Sequence, residues 1–523
     1  MKQYNPRSNA AAGLRLALRD RRAVVLIIVL VVVVLLALSC YSFCAMMQSE
    51  YAGAKQMGRR IQSRNFVDSG VEWARLVLAQ GDAYWFDAGG IYSNPDLFQG
   101  VLVIQSEDPK ETGLFTIIAP NLDDEGVQTG FRFGLTNEST RINLNILTLA
   151  DQFQENGGRT LLMSLPGMDE YTADAILDWI DADDEPREYG AEVNDYYSGL
   201  NPPYAPKNGP PDSVEELLLV RGVTPELMFG IDTNHNGIVD SSEAAIAGDV
   251  SDESVLLGWA NFLTLFSKEH NVNRAGEPRI YLNNPNLDQL YNDLRSVFTD
   301  ELSTFIVAYR LFGPYTGSDD VSGDIVTADD LDLTGEAAYP ITQVLDIIDM
   351  KVEVDVEGEG KVIQSPVTTA TLGQYMTLIM DNLTTIESDM ITGRININQA
   401  PRIVLQAIPG MEPETVDEII RVRDIELNDP DLTDNHRLHE TWILMEGIVD
   451  ISTMRIMLPF VCAGGDVYRA EIVGYYQGGG ASSRAEVVFD TTPQIPRLLF
   501  WRDKSHLPFG YDPETLGLAY NGE

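Results

Sequence analysis

Residues 23–47, AVVLIIVLVVVVLLALSCYSFCAMM, form an apolar run with no charge and no proline. About 20 such residues cross the hydrocarbon core of a bilayer as a helix. The preceding segment holds Lys2, Arg7, Arg15, Arg19, Arg21 and Arg22 against Asp20 alone. Lysine and arginine excess stays on the cytoplasmic side. We therefore expect residues 1–22 in the cytoplasm, 23–47 across a membrane and the remaining body on its far side. A cleaved signal peptide has an apolar core of about 7–15 residues and then a small-x-small site. This run is longer, and more helix follows it. Over residues 48–80, Phe66, Val67, Val71, Ala74, Leu76 and Val77 recur at spacings of three and four, the pattern of an amphipathic helix. One helix over 23–80 would be roughly 85 Å long.

Formal charge is −43 over 523 residues, and the first 22 are net positive, so the body beyond them is strongly acidic. Such a surface repels phosphate backbones and attracts cations such as calcium. Nucleic acid is therefore not an expected partner. Cys40 and Cys44 fall inside the apolar run and Cys462 stands alone in the body. The body thus has no internal disulfide framework, and its core or a bound metal must hold it.

Residues 81–144 contain short β-branched and aromatic runs, VLVIQ, GLFTIIAP and FRFGLT, broken by turn residues. A phrase then recurs: RINLN at 141–145, RININ at 394–398 and, more loosely, RIYLN at 279–283. The first two copies lead into LLMSLPGMDEYTADAILDWI (161–180) and IVLQAIPGMEPETVDEIIRV (403–422). Each reads as helix, Pro-Gly-Met turn and second helix, a helix-hairpin-helix pattern. Further helix pairs with a glycine turn follow at 213–228 and 439–454. Residues 145–231 and 393–460 are thus expected to form two related double-hairpin helical domains. Residues 244–392 are less patterned and read as an inserted mixed region. Residues 461–503 carry a β-hairpin around QGGGASS and a further strand, and 504–523 form a tail.

Helix-hairpin-helix units bind phosphate through turn amides and helix N-termini. The second glycine that such turns carry is replaced here by Asp169 and Glu412, and the helix after Gly167 is acidic. We read the hairpins as packing and partner surfaces. The segment DTNHNGIVDSSE at 232–243 fits the twelve-residue EF-hand calcium loop. Asp232, Asn234 and Asn236 take its first, third and fifth positions, and Gly237 its sharp turn. Ile238 offers a carbonyl, Asp240 the ninth position and Glu243 the closing carboxylate. A second acidic cluster, Asp181, Asp183, Asp184, Glu185, Glu192 and Asp195, offers hard oxygen ligands without a defining spacing. No Gly-x-Ser-x-Gly, P-loop or Cys-His nucleophile pair is present, and we expect no enzymatic activity.

With RINLN, LPGMDEYTADAILDWIDADDEPREYGAE (165–192), NPPYAPKNGPPDSVEELLLVRGVTPELM (201–228), GRININQAP (393–401) and the C-terminal YRAEIVGYY, the chain resembles type II secretion system protein K, a minor pseudopilin. The resemblance implies an α+β fold: a pilin-like N-terminal transmembrane helix and a small antiparallel sheet. A large inserted α-helical region of helix-hairpin-helix (SAM-like) units interrupts that sheet. It implies a single-pass protein of the bacterial inner membrane with a periplasmic body. It further implies a subunit that caps the pseudopilus tip and helps start its assembly. Its partners would be other minor pseudopilins, the major pseudopilin and the inner-membrane secretion platform. Calcium within the helical region belongs to the same implication and adds weight to the 181–195 cluster. Two features depart from the family pattern. Prepilin peptidase cuts after a glycine directly before the apolar run, whereas here the junction is Arg22-Ala23 and the nearest upstream glycine is Gly13. The chain is also longer, with 232–243 and 245–390 reading as insertions. The competing expectation is a membrane-anchored, DNA-binding hairpin protein of a competence or type IV pilus machine.

Overall fold

The structure is a computed structural model that describes residues 9–247, 256–317, 321, 326–356, 358–423 and 436–518. Its first element, α1 (Asn9–Leu78), is one continuous helix. Between Val24 and Met47 its side chains meet no protein and stand exposed. Among the described residues it is the one helix long and apolar enough to cross a membrane. Its far end is a different surface: Phe66, Val67, Val71, Ala74, Val77 and Leu78 are buried. Leu76, expected on the same face, is exposed. It lies half a turn away from the stripe that Val67, Val71, Ala74 and Leu78 define.

That stripe packs on an antiparallel sheet. Its strands are β1 (Val101–Ile104), β2 (Gly113–Leu122), β3 (Gln128–Arg132), β4 (Thr136–Asn137), β5 (Val467–Tyr476), β6 (Ser482–Asp490) and β7 (Arg497–Asp503). The order is β1-β2-β5-β6-β7, with β3 on the outer half of β2 and β4 on the start of β5. Phe115, Ile117, Ile472, Val487 and Phe489 supply the face under α1. Helix and strand approach closely at Gly474, where an added Cβ would lie 2.4 Å from the Ser63 carbonyl oxygen. The hairpin expected around QGGGASS is β5–β6, and β7 pairs back onto β6.

The chain leaves this sheet after β4 and returns beside it at β5. Residues 138–466 are therefore an insert rooted between paired strands. Within it the recurring phrase does the same job three times. Ile142–Asn143 pairs in parallel with Leu263–Thr264, Ile280–Tyr281 with Leu383–Thr384 and Ile395–Asn396 with Val461–Cys462. Each copy thus opens a module that a later two-residue strand closes. Asparagines fix the first and third of these closures, while Asn283 of the middle copy donates to the Ile341 carbonyl. Asn145 Nδ2 donates to the Leu265 carbonyl at 2.9 Å and Asn398 Nδ2 to the Ala463 carbonyl at 2.8 Å, at equivalent positions. The middle module is bracketed by an antiparallel ribbon, Lys268–His270 against Met390–Thr392. It contains an amphipathic helix, Leu287–Arg295, and a helix buried on all sides from Leu302 to Arg310, Asp300–Phe312. A left-handed residue follows the short helical turn in each module: Gly222, Asp349 and Gly447. One apolar core runs through all three.

Where the insert departs from the sheet, charges are buried rather than apolar groups. Glu138 is 0% exposed and accepts from Arg469 on β5 and from Thr264. Arg469 also pairs with Glu486 on β6, which meets Lys504 at 3.2 Å. Burial pushes the Glu138 carboxyl up, but the Arg469 and Arg141 guanidiniums outweigh it and hold the group below its usual range. Lys504 and Arg469 do the same to Glu486, more strongly. Breaking a buried pair by removing one partner costs about 3–5 kcal/mol. We expect Glu138→Gln to destabilise the detergent-solubilised chain by that order in thermal unfolding. Carboxyls with lowered folded pKa values contribute stability that is present above the unfolded value, near 4.5, and lost as pH falls through the folded value. The wild-type melting temperature should therefore drop below about pH 4.5, and the drop should be shallower in the Gln variant.

Candidate metal centres

The loop at 232–243 follows the short helix Pro225–Phe229 and leads into the helix Ser241–Ala247. Asp232 and Glu243 are each 2% exposed, and Asn234, Asn236 and Ile238 are also buried. The Asp232 carboxylate accepts from the amides of Asn236 (3.1 Å) and Gly237 (2.9 Å). Asn234 Oδ1 accepts from Asn236 N, and Asn236 Oδ1 from Ile238 N, both at 3.0 Å. Glu243 reaches back to the amides of Thr233 (2.8 Å) and Asp240 (3.2 Å). Asn234 Nδ2 donates to Asp240 and Glu243. Gly237 has φ +83°, and an added Cβ there would sit 2.7 Å from Pro120. A side chain at that turn would be strained in its backbone and crowded.

The structure thus gathers all six positions expected from the sequence into one turn. Among the described residues, neither Asp232 nor Glu243 has a Lys or Arg at ion-pair distance, although both are buried. Burial, with the nearby Glu243 adding to it, pushes the Asp232 carboxyl up to about 6. Buried carboxylates without a counter-charge are costly. A divalent cation bound by hard oxygens would supply that charge.

The second cluster lies at the C-terminal end of the helix Glu170–Ile180. Glu192 is 0% exposed, and neither of its carboxylate oxygens has a hydrogen-bond partner. Asp181 Oδ1 and Asn208 Oδ1 are likewise buried without partners. Burial, and then the charges of Asp178 and Asp181, push the Glu192 carboxyl up to about 7. Burial pushes Asp178 and Asp181 to about 6 each. The Arg187 Nε is the nearby cation, 3.6 Å from Asp178 and 3.8 Å from Asp181. Acceptor oxygens without partners, beside carboxyls that burial raises, make a set of hard oxygen donors.

Of the residues expected here, the structure buries Glu192 and half-buries Asp181. Asp183, Asp184, Glu185 and Asp195 lie on the exposed rim. Asp183 Oδ1 caps the Glu185 amide and Asp195 Oδ1 accepts from the Glu192 amide, each at 2.9 Å. Two participants were not among the ligands expected from the sequence, although the acidic run opens at Asp178. Asp178, one helical turn before Asp181, carries a signal in its i, i+3 spacing. Asn208 hides in a proline-rich loop and reaches the cluster by donating to the Asp183 carbonyl and to Asp184, both at 2.8 Å. Among the described residues, no three Asp, Glu, His or Cys side chains converge as one ligand set. In both places the oxygen donors include asparagine amides.

Residues 140–231 match the family described as type II secretion system (T2SS), protein K. The resemblance carried by the sequence therefore holds over the first module's opening strand and the Glu192 cluster, and the match ends one residue before Asp232. No curated protein matches the chain. Among solved structures, the GspK-GspI-GspJ complex from the enterotoxigenic Escherichia coli type 2 secretion system is similar over 88% of this chain and 98% of that chain. The identity is 10% and the TM-score 0.36.

Two substitutions test the Glu192 cluster. Gly190→Ala would place a Cβ 1.8 Å from Asp178 Oδ2; overpacking of this kind costs about 1–3 kcal/mol, and scanning fluorimetry should show a lower melting temperature. Glu192→Gln removes a charge that burial disfavours. In chelator at pH 8 it should melt above the wild type, and calcium should no longer stabilise this site.

Proposed function

We propose that this chain is a minor pseudopilin of a type II secretion machine. On this reading it is an anchored structural subunit, not an enzyme, and calcium stabilises its inserted region. The observation that carries the proposal is the family match over residues 140–231. Supporting it are one apolar N-terminal helix that continues into a strand-and-helix head and an insert rooted between neighbouring strands. The basic flank of α1 stays in the cytoplasm, residues 23–47 cross the inner membrane and the head lies in the periplasm.

Each part then has a physical task. The exposed apolar length of α1 exchanges lipid contact for packing against the corresponding helices of its neighbours. The head, widened by the insert, leaves no room for a further subunit above it. The subunit therefore caps the pseudopilus tip and favours the start of assembly from that end. Its partners are other minor pseudopilins, the class of complex named for the similar solved structure, together with the major pseudopilin and the inner-membrane platform. The helix pairs in the insert act as helix-hairpin-helix packing units. Their acidic second helices suit protein surfaces rather than a phosphate backbone.

Calcium would be held by Asp232, Asn234, Asn236, Ile238, Asp240 and Glu243 at one site, and by Glu192, Asp181, Asp178 and Asn208 at the other. It supplies two positive charges to carboxylates that the fold has removed from water. The test uses the full chain in detergent, with co-purification against the other minor pseudopilins of its own system. A stable complex is expected, together with higher melting in calcium than in chelator. At 100 times the Kd, calcium stabilises by about 2.7 kcal/mol. Absence of any complex with those subunits would overturn the pseudopilin reading.

A further inference from the structure

The loop at 232–243 is also where the insert is fastened to the sheet, far along the chain from its root at β4. Arg484 on β6, with its side chain 1% exposed, donates to the Asn234 carbonyl. Lys504, just past β7, donates to the His235 carbonyl at 2.8 Å. Asn236 Nδ2 donates to the Gly510 carbonyl at 3.1 Å. Gly510 has φ +70°, and an added Cβ there would lie 2.6 Å from the Asn234 side chain. The same short stretch thus carries the expected oxygen ligands and also meets the sheet, through the Asn234 and His235 carbonyls and Asn236 Nδ2.

His235 also stacks on Phe229, ring centroids 4.9 Å apart, which holds the loop on its insert side. A cavity of about 100 Å³ lies beside these contacts, lined by Asp232, His235 and Asn236 from the loop and by Glu471, Glu486 and Lys504 from the sheet. The sheet-side cations are themselves held: Lys504 pairs with Glu471 at 2.7 Å and Glu486 at 3.2 Å, and Arg484 with Glu471 at 3.1 Å. Glu486 continues through Arg469 to Glu138 at the root of the insert.

We infer that the 232–243 loop is a calcium-dependent latch between the helical insert and the sheet. The inference rests on the calcium reading above. An ion on Asp232, Asn234, Asn236, Asp240 and Glu243 fixes the same turn whose Asn234 and His235 carbonyls and Asn236 amide meet Arg484, Lys504 and Gly510. Metal binding and docking of the insert then favour one another by linkage, each raising the other's affinity by the same factor. Without calcium, Asp232 and Glu243, buried in one turn, repel one another; the loop loosens and the sheet loses three polar contacts together.

Hydrogen exchange of the full chain in detergent, with calcium and with EGTA, tests this. The expected result is faster exchange in EGTA both in the loop and across residues 482–511, with the membrane-facing part of α1 unchanged. The effect should persist in Glu192→Gln, which isolates it from the other cluster, and vanish in Asp232→Asn with Glu243→Gln. Asn236→Asp keeps a ligand oxygen but removes the donor to Gly510. It should retain calcium by calorimetry while 482–511 exchanges several-fold faster than wild type in calcium. If calcium protects the loop but leaves 482–511 unchanged, the latch is wrong and the calcium reading stands. If calorimetry finds no calcium bound by wild type beyond the double variant, the calcium reading of this loop fails and the latch falls with it.

Discussion

Arg469 is the charge on which the arrangement turns. It stands on β5, where the chain re-enters the sheet, and holds Glu138, where the chain left it, together with Glu486 on the next strand. A flexible excursion of several hundred residues costs only modest closure entropy, because that cost grows with the logarithm of length. What such an excursion lacks is a defined geometry at its root. Apolar packing alone would tolerate sliding of one strand against another. A guanidinium between two buried carboxylates has few acceptable positions, and any slip would strand a charge away from water.

From that root the insert is built by repetition. Each module is closed by a parallel pairing only two residues long, too short to be stable by itself. The shared core, and in the first and last modules the asparagine beside the pairing, supply what it lacks. This explains how legible the modules were. The first and last copies stood out because a Pro-Gly-Met turn separates their helices, with Gly167 and Gly410 at φ +69° and +81°. In the middle copy, Thr299 caps the second helix through its side chain instead. With no glycine to mark the turn, residues 244–392 read as unpatterned although RIYLN was visible and KVEVDV at Lys351–Val356, half of an antiparallel hairpin with Glu359–Gln364, alternates. The outer strands were plain in the sequence, since β2, β5 and β6 are long and rich in β-branched residues.

The two candidate centres differ in the same way. The loop from Asp232 to Glu243 is contiguous, so its donors were readable at fixed spacing. Its contacts with Arg484, Lys504 and Gly510 come from sequence more than 200 residues away and had no local signature. At the Glu192 cluster the acidic run and the buried donors only partly coincide. Turns bend Asp183, Asp184, Glu185 and Asp195 outward, while Asp178 and Asn208 are brought in by the fold. Burial, which decides which carboxylates need a counter-charge, depends on tertiary packing that spacing does not encode.

Nothing interrupts α1 between its exposed apolar length and the sheet: no proline occurs in it and no break is seen. At about 1.5 Å per residue its 70 residues span roughly 105 Å. Mechanically it is a strut without a joint. An axial push or a twist applied at the membrane arrives at β2 and β5 undiminished by slack. Gly474, where helix and strand backbones nearly touch, and Gly70, against the Ile472 and Phe115 side chains, are where that load passes from rod to plate.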